Sequence, residues 1–191
     1  MTQNAANVFT AKPKVGGAVW SGALTIAPPT DAVTALPDGI NSLGYMHEDG
    51  ITESVETDNE SIAAMGGDKV HVVRTTHDVT FKFHPIETNR YVLAEQYGDE
   101  NVTVGNDGNI AVKYNANEAP ARLYVLELLL DATHVMRVVI PNGKVTEVGE
   151  VKYGSSDPIG AELTITALPD KDGNKAYKYF SEIKPTSGSE A

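Results

Sequence analysis

Apolar and polar positions alternate with a period of two over long stretches of this chain, the pattern of half-buried β-strands. From residue 70 to residue 84 the odd positions carry His71, Val73, Thr75, His77, Val79, Phe81 and Phe83. The even positions from Arg74 carry Thr76, Asp78, Thr80, Lys82 and His84. One face grows steadily more apolar while the other stays wet, so the pattern predicts a long ribbon from Val70 to Phe83, with Val79, Phe81 and Phe83 as its core or inner-sheet positions. As one strand it extends over ~40 Å, and a bend near Thr75-Thr76 is the alternative. Further strands are predicted at Val102 to Val104, Ile110 to Tyr114, Leu123 to Leu130, His134 to Ile140, Lys144 to Tyr153, Glu162 to Leu168 and Ala176 to Ile183. Asn106-Asp107-Gly108-Asn109, Asp131-Ala132-Thr133, Pro141-Asn142-Gly143 and Asp172-Gly173-Asn174 supply hairpin turns. The sum is a mostly β, antiparallel meander.

One helix interrupts the strands. It is predicted over 88–97, with Thr88 at the N-cap and Gly98 at C′, and Tyr91, Leu93, Ala94 and Tyr97 fall on one arc at 100° per residue. Residues 46–69 carry many acids and few strong apolar positions, and are expected to form a long loop. Residues 1–16 are expected to be an N-terminal arm, 17–184 the β-domain, and 185–191 a flexible tail.

Composition narrows the classes. At 191 residues the chain suits one well-cored domain. It has no cysteine, which excludes disulfides and thiolate zinc sites. Its N-terminus has no apolar run of the signal-peptide kind, and its most hydrophobic segment, Leu123 to Leu130, is broken by Glu127 and far short of the roughly 20 residues of a bilayer span. The net charge of -11 disfavours ordinary binding to phosphate backbones.

Chemistry-bearing motifs fail on spacing. His71 and His77 share strand parity but lie roughly 20 Å apart in an extended strand, too far to share an ion, and His84 points to the other face. Asp170-Lys171-Asp172-Gly173-Asn174 lacks the sixth-position glycine and twelfth-position acid of a calcium loop, having Lys175 and Ser181 there. Gly154-Ser155-Ser156-Asp157 is not a nucleophile elbow, and no glycine-rich stretch matches a phosphate loop. No catalytic residue, metal ligand or cofactor is expected.

The segment Lys12-Pro13-Lys14-Val15-Gly16-Gly17-Ala18-Val19-Trp20, followed by Leu43-Gly44-Tyr45-Met46-His47-Glu48-Asp49-Gly50-Ile51-Thr52, resembles the N-terminal half of major tail proteins of long-tailed, non-contractile phages. The resemblance runs on through Met65-Gly66-Gly67-Asp68, the Val70 ribbon, Tyr97-Gly98-Asp99-Glu100-Asn101-Val102 and Val138-Val139-Ile140-Pro141. It implies a tail tube subunit: two packed antiparallel sheets, sandwich or barrel-like, with one flanking helix and a long loop. Copies would close into hexameric rings that stack into a tube, with loop and arm bridging the rings. Val15, Trp20, Tyr45, Glu48, Asp49, Ile51, Met65 and Asp68 are then the candidate assembly contacts. Tape-measure and tail-end or terminator proteins are the implied partners, and the virion tail, assembled in the host cytoplasm, the implied location. Some members carry an added immunoglobulin-like domain, for which this chain looks too short. The alternative is another self-assembling β-domain, capsid-decorating or secretion-tube-like.

Elementary physics favours closure of this kind independently of the resemblance. A long strand has edges that invite pairing, and closing the sheet by symmetry removes them. A negative lumen would let DNA slide past without adhering. The polar face of the ribbon mixes Arg74 and Lys82 with Asp78, so acidity in a lumen must come from elsewhere.

Overall fold

The computed structural model describes residues 3–183; the expected tail at 185–191 and the first two residues of the expected arm lie outside the described residues. In chain order the elements are β1 (Lys12–Pro13), β2 (Val19–Gly22), β3 (Asn41–Ser42), β4 (Met46–Glu56), β5 (Asn59–Ala63), β6 (Lys69–Arg74), β7 (Asp78–Pro85), α1 (Arg90–Tyr97), β8 (Val102–Val104), β9 (Ile110–Val112), β10 (Arg122–Leu129), β11 (His134–Val148), β12 (Leu163–Ala167) and β13 (Tyr177–Glu182). Nine strands share one antiparallel ladder ordered β3-β2-β10-β11-β12-β7-β4, with β1 added to β10 and β13 to β11. β5 with β6, and β8 with β9, form separate pairs. The main ladder does not close into a barrel.

β11 folds this ladder on itself. Its first half pairs with β10 and β13, and from Gly143 onward it pairs with β12. The apolar positions of the two halves meet: Phe81 and Phe83 of β7 and Leu163 and Ile165 of β12 share one core with Tyr124 and Leu126 of β10 and Val138 and Ile140 of β11. Each such buried side chain contributes about 1.5–3 kcal/mol of hydrophobic stabilisation. The back of the β10–β11 half holds Leu123, Val125 and Val139, covered by Ile26, Leu36 and Ile40 from the segment between β2 and β3. Trp20 packs there, half-buried, and its indole N–H donates to the Gly17 carbonyl at 3.2 Å.

The mostly β, antiparallel architecture with one helix agrees with the alternation in the sequence, while several local expectations change. The Val70 to Phe83 ribbon is interrupted at residues 75–77: β6 pairs with β5, and β7 with β4 and β12. Residues 46–69 are largely strand and not an open loop, because the backbone of β4 finds a ladder partner in β7 despite its acidic side chains. Pro141-Asn142-Gly143 makes no turn; β11 runs straight through it, since the change of partner from β10 to β12 falls there and tolerates a proline. Gly143 is required by close approach, because a Cβ would press into the Tyr124 ring and Ile165. The Asp172-Gly173-Asn174 turn does not join paired strands, as β13 returns to β11 and not to β12. In α1 the N-cap is Asn89, not Thr88; its carboxamide oxygen accepts from the Tyr91 and Val92 amides. The helix buries Val92, Ala94 and Glu95, leaving Tyr91 exposed.

Candidate assembly surface

β4–β5 and β6–β7 are the two legs of one long hairpin that leaves the body at its midpoint. The joint is made by Asp58, whose carbonyl accepts from the Thr75 amide at 2.9 Å and whose carboxylate accepts from the Thr76 hydroxyl at 2.9 Å. Beyond it every residue of β5 and β6 is exposed, Ile62, Val70, Val72 and Val73 included. Met65 and Asp68 lie in the tip, where the Ala64 amide donates to the Asp68 carbonyl. Met65 is fully exposed, at 107%. A two-stranded ribbon is marginal in water by itself, so this much apolar surface calls for a covering partner.

A cleft of about 710 Å³ lies on the body between the arm residues 11–18 and the Gly44 to Ile51 segment. Four of the candidate contacts, Val15, Tyr45, Glu48 and Ile51, line it together. Val15 and Tyr45 are wide open to solvent, whereas Ile51 is half-buried. Asp49 is exposed beside the cleft and contacts His47 at 2.8 Å. Trp20 is turned into the second core, away from this group. Gly44 shapes the wall: with φ +78 it leaves room for the Glu87 carboxylate, which accepts from the Tyr45 amide at 2.8 Å.

The arm is held on the body by a buried ion pair. Glu127 and Arg137 are direct cross-strand partners on β10 and β11, with Glu127 Oε1 accepting from Arg137 Nε at 3.0 Å and Nη2 at 2.5 Å. Glu127 Oε1 also takes Lys14 Nζ of the arm at 3.2 Å. The remaining Arg137 donors reach the Asp31 and Thr34 carbonyls, each at 2.8 Å. Arm, covering segment and sheet thus meet at one charge centre. Asp31 itself has its pKa lowered to about 2, first by the Thr34 hydroxyl and then by the Thr34 and Val33 amides.

A second buried centre ties α1 to the sheet. Glu95 accepts from the Tyr124 hydroxyl at 2.5 Å and lies 3.1 Å from Arg122 Nε, while Arg122 also bonds Asp99. Burial raises the Glu95 pKa against the pull of Arg122, and burial together with Glu95 raises that of Tyr124. Charge kept the sequence reading from placing Glu95, Glu127 or Arg137 inside.

β4 is the open end of the ladder and carries Glu48, Asp49, Glu53 and Glu56, charges that guard an edge against indiscriminate pairing. Near its start a register shift between Met46 and Ile51 brings His47 over His84, the rings stacked at 5.2 Å. These two histidines stand 37 positions apart in the chain, and the pairing of β4 with β7 joins them. Among the described residues no group of three or more His, Asp or Glu is arranged to hold a metal ion, and no helix is long and apolar enough to cross a membrane.

Val79, Phe81 and Phe83 are buried in the main core. A model of the phage tail tube protein family matches residues 1–189, nearly the whole chain. Comparison with curated proteins returned no match.

Proposed function

Because this chain belongs to the phage tail tube protein family, we propose that it is a tube subunit that closes into hexameric rings, stacks them, and leaves a channel through which DNA passes. A structural component of the virion tail is what membership in that family means; ring number, stacking contacts and DNA passage are our reading. The observation that carries it is the hairpin beyond Asp58, an exposed ribbon bearing apolar side chains on a body that does not itself cover them.

In this reading the hairpin tip, with Met65 and Asp68, engages the cleft lined by Val15, Tyr45, Glu48 and Ile51 on a subunit of the next ring, with Asp49 at its rim. The open β4 edge meets a strand of a neighbour within the ring, converting an aggregation hazard into a closed interface. Trp20 supports the arm from behind through its packing. The arm (1–16) helps to bridge successive rings, and 17–184 is the domain that builds the tube. Its partners are a tape-measure protein and tail-end or terminator proteins, assembly takes place in the host cytoplasm, and the protein catalyses no reaction.

Electron microscopy of purified protein at high concentration tests this, with a variant lacking residues 59–74 beside it. Wild-type protein is expected to give rings and tubes, and the variant to fold yet fail to stack. Monodisperse monomers under every salt condition, and in lysates carrying other tail components, would refute the assembly. Normal tubes from the variant would refute the role of the hairpin.

A further inference from the structure

α1 ends at Tyr97, and the β8–β9 hairpin brings Tyr114 back beside it. Asn101, buried at 3% exposure, fixes the meeting point. Its side-chain N–H donates to the Tyr97 carbonyl at 2.6 Å, and its backbone carbonyl accepts from the Lys113 amide at 2.8 Å. Its carboxamide also exchanges two bonds with that of Asn115, at 2.9 and 2.6 Å. The backbone around both tyrosines is thereby held by one buried residue.

The two ring centres lie 4.8 Å apart with their planes tilted by 59°, and the Tyr114 hydroxyl donates to that of Tyr97 at 3.0 Å. Because the oxygens are closer than the ring centres, the oxygen-bearing ends converge, and the ring carbons beside each oxygen converge with them. Burial, and next the Tyr114 hydroxyl, raise the Tyr97 pKa to about 12, so this phenol keeps its proton near neutral pH. Tyr177 and Tyr179, the other pair of tyrosine rings in contact among the described residues, lie nearly parallel at 6.3 Å, with the Tyr177 hydroxyl donated to Asp170. Folding has little need of the first contact: Tyr114 is 75% exposed, and its hydroxyl would bond water almost as well.

We propose that Tyr97 and Tyr114 are a site of oxidative cross-linking, which joins them as a dityrosine staple between the end of α1 and the end of the β8–β9 hairpin. A one-electron oxidant of the peroxidase class, fed by hydrogen peroxide, takes one electron and the hydroxyl proton from each ring, and the peroxide is reduced to water. The two phenoxyl radicals join through the ring carbons beside their oxygens. The hydrogen on each joined carbon then moves to its own oxygen, which restores both phenols. The net change is one new carbon–carbon bond and the loss of two hydrogens. A component of the virion tail works outside the reducing cell, where covalent ties are usually disulfides. This chain has no cysteine, and a tyrosine pair supplies such a tie without one. Nothing in the step requires rings or tubes.

The test treats dilute wild-type protein, Tyr97→Phe, Tyr114→Phe and Tyr153→Phe with a peroxidase and hydrogen peroxide, beside wild type unfolded in urea. Tyr153 is the control, since it is as exposed as Tyr114 and also lies near Tyr97. Each product is digested and mapped by mass spectrometry, and the thermal unfolding of the intact product is followed. Folded wild type and Tyr153→Phe are expected to give a Tyr97–Tyr114 link lighter by two hydrogens than its separate peptides, with dityrosine fluorescence. Tyr97→Phe and Tyr114→Phe are expected to lose that link, and the unfolded chain to scatter its links among the eight tyrosines. Because the link closes a short loop, cross-linked wild type is expected to melt roughly 5–10 °C above Tyr114→Phe oxidised alike. A folded protein that links Tyr97 or Tyr114 to other tyrosines instead, a link at the pair no more frequent than in the unfolded chain, or no rise in unfolding temperature overturns the proposal.

Discussion

Replacing Glu127 by leucine removes what is, among the described residues, the one carboxylate hydrogen-bonded to Arg137, a side chain only 1% exposed. The guanidinium keeps the Asp31 and Thr34 carbonyls, and the Asp31 carboxylate stays 3.9 Å away, but it loses two donated bonds to a full charge. An uncompensated charge of this kind costs about 3–5 kcal/mol. That is a large share of the roughly 5–15 kcal/mol that holds a domain folded. With a urea slope of about 2–3 kcal/mol/M the midpoint falls by on the order of 1.5 M. The double variant Glu127→Leu/Arg137→Met removes both charges and leaves two carbonyls short of a donor, a loss of about 1–3 kcal/mol for each that water does not reach; Thr34 is exposed and Asp31 half-buried, so hydration offsets most of it. It is therefore expected to be more stable than the single variant. Equilibrium urea unfolding of the four members of the cycle reads this directly. In parallel, limited proteolysis is expected to cut the arm near Lys14 sooner in both variants, since each frees Lys14 from Glu127. A single variant losing less than about 1 kcal/mol, or a double variant no better than the single, would refute the claim that the pair is a buried charge centre.

Phe81→Asp places a carboxylate in the core between the two halves of the sheet, where Phe81 is 1% exposed; a loss of at least about 4 kcal/mol is expected, and a folded, cooperative variant by thermal unfolding would show that the buried face is wrongly assigned. Gly143→Ala drives a methyl into Tyr124 and Ile165 and is expected to cost about 1–3 kcal/mol by urea titration, with no loss meaning that the strand shifts freely. Glu95 has its pKa raised above 4.5 by burial, so the folded state binds the proton more tightly, and the stability it contributes below pH 4.5 declines as pH rises toward the raised value; Glu95→Gln is expected to flatten that decline in unfolding measured across pH, and an unchanged profile would refute it. Asp31 and Asp131, each lowered to about 2, act oppositely: their contribution is present above pH 3.8 and is lost as pH falls toward 2, a loss that Asp31→Asn/Asp131→Asn is expected to reduce.

Period-two alternation made the strands around Phe81 and Ile165 legible, because a face buried against a core favours apolar residues at every second position, while β10 showed as the apolar run from Leu123, buried on both faces. Gly98 and the polar start of the helix marked α1 to within two residues for a similarly local reason. Val15 stands 30 positions before Tyr45 in the chain, and only the fold brings it to the cleft that Tyr45, Glu48 and Ile51 also line. What the sequence by itself determined is a mostly β, antiparallel chain, its main core face and the turns at 106–109 and 131–133, since each follows from neighbours a few positions away. Which strands pair, and that β11 serves both halves of the sheet through a proline, depended on distant partners. So did the passage of acidic residues 46–56 into a ladder, where the backbone of β7 outweighs side-chain preference. The burial of Glu95, Glu127 and Arg137 was decided by tertiary structure alone, because a charge enters a core only when a counter-charge from another element is already placed to meet it.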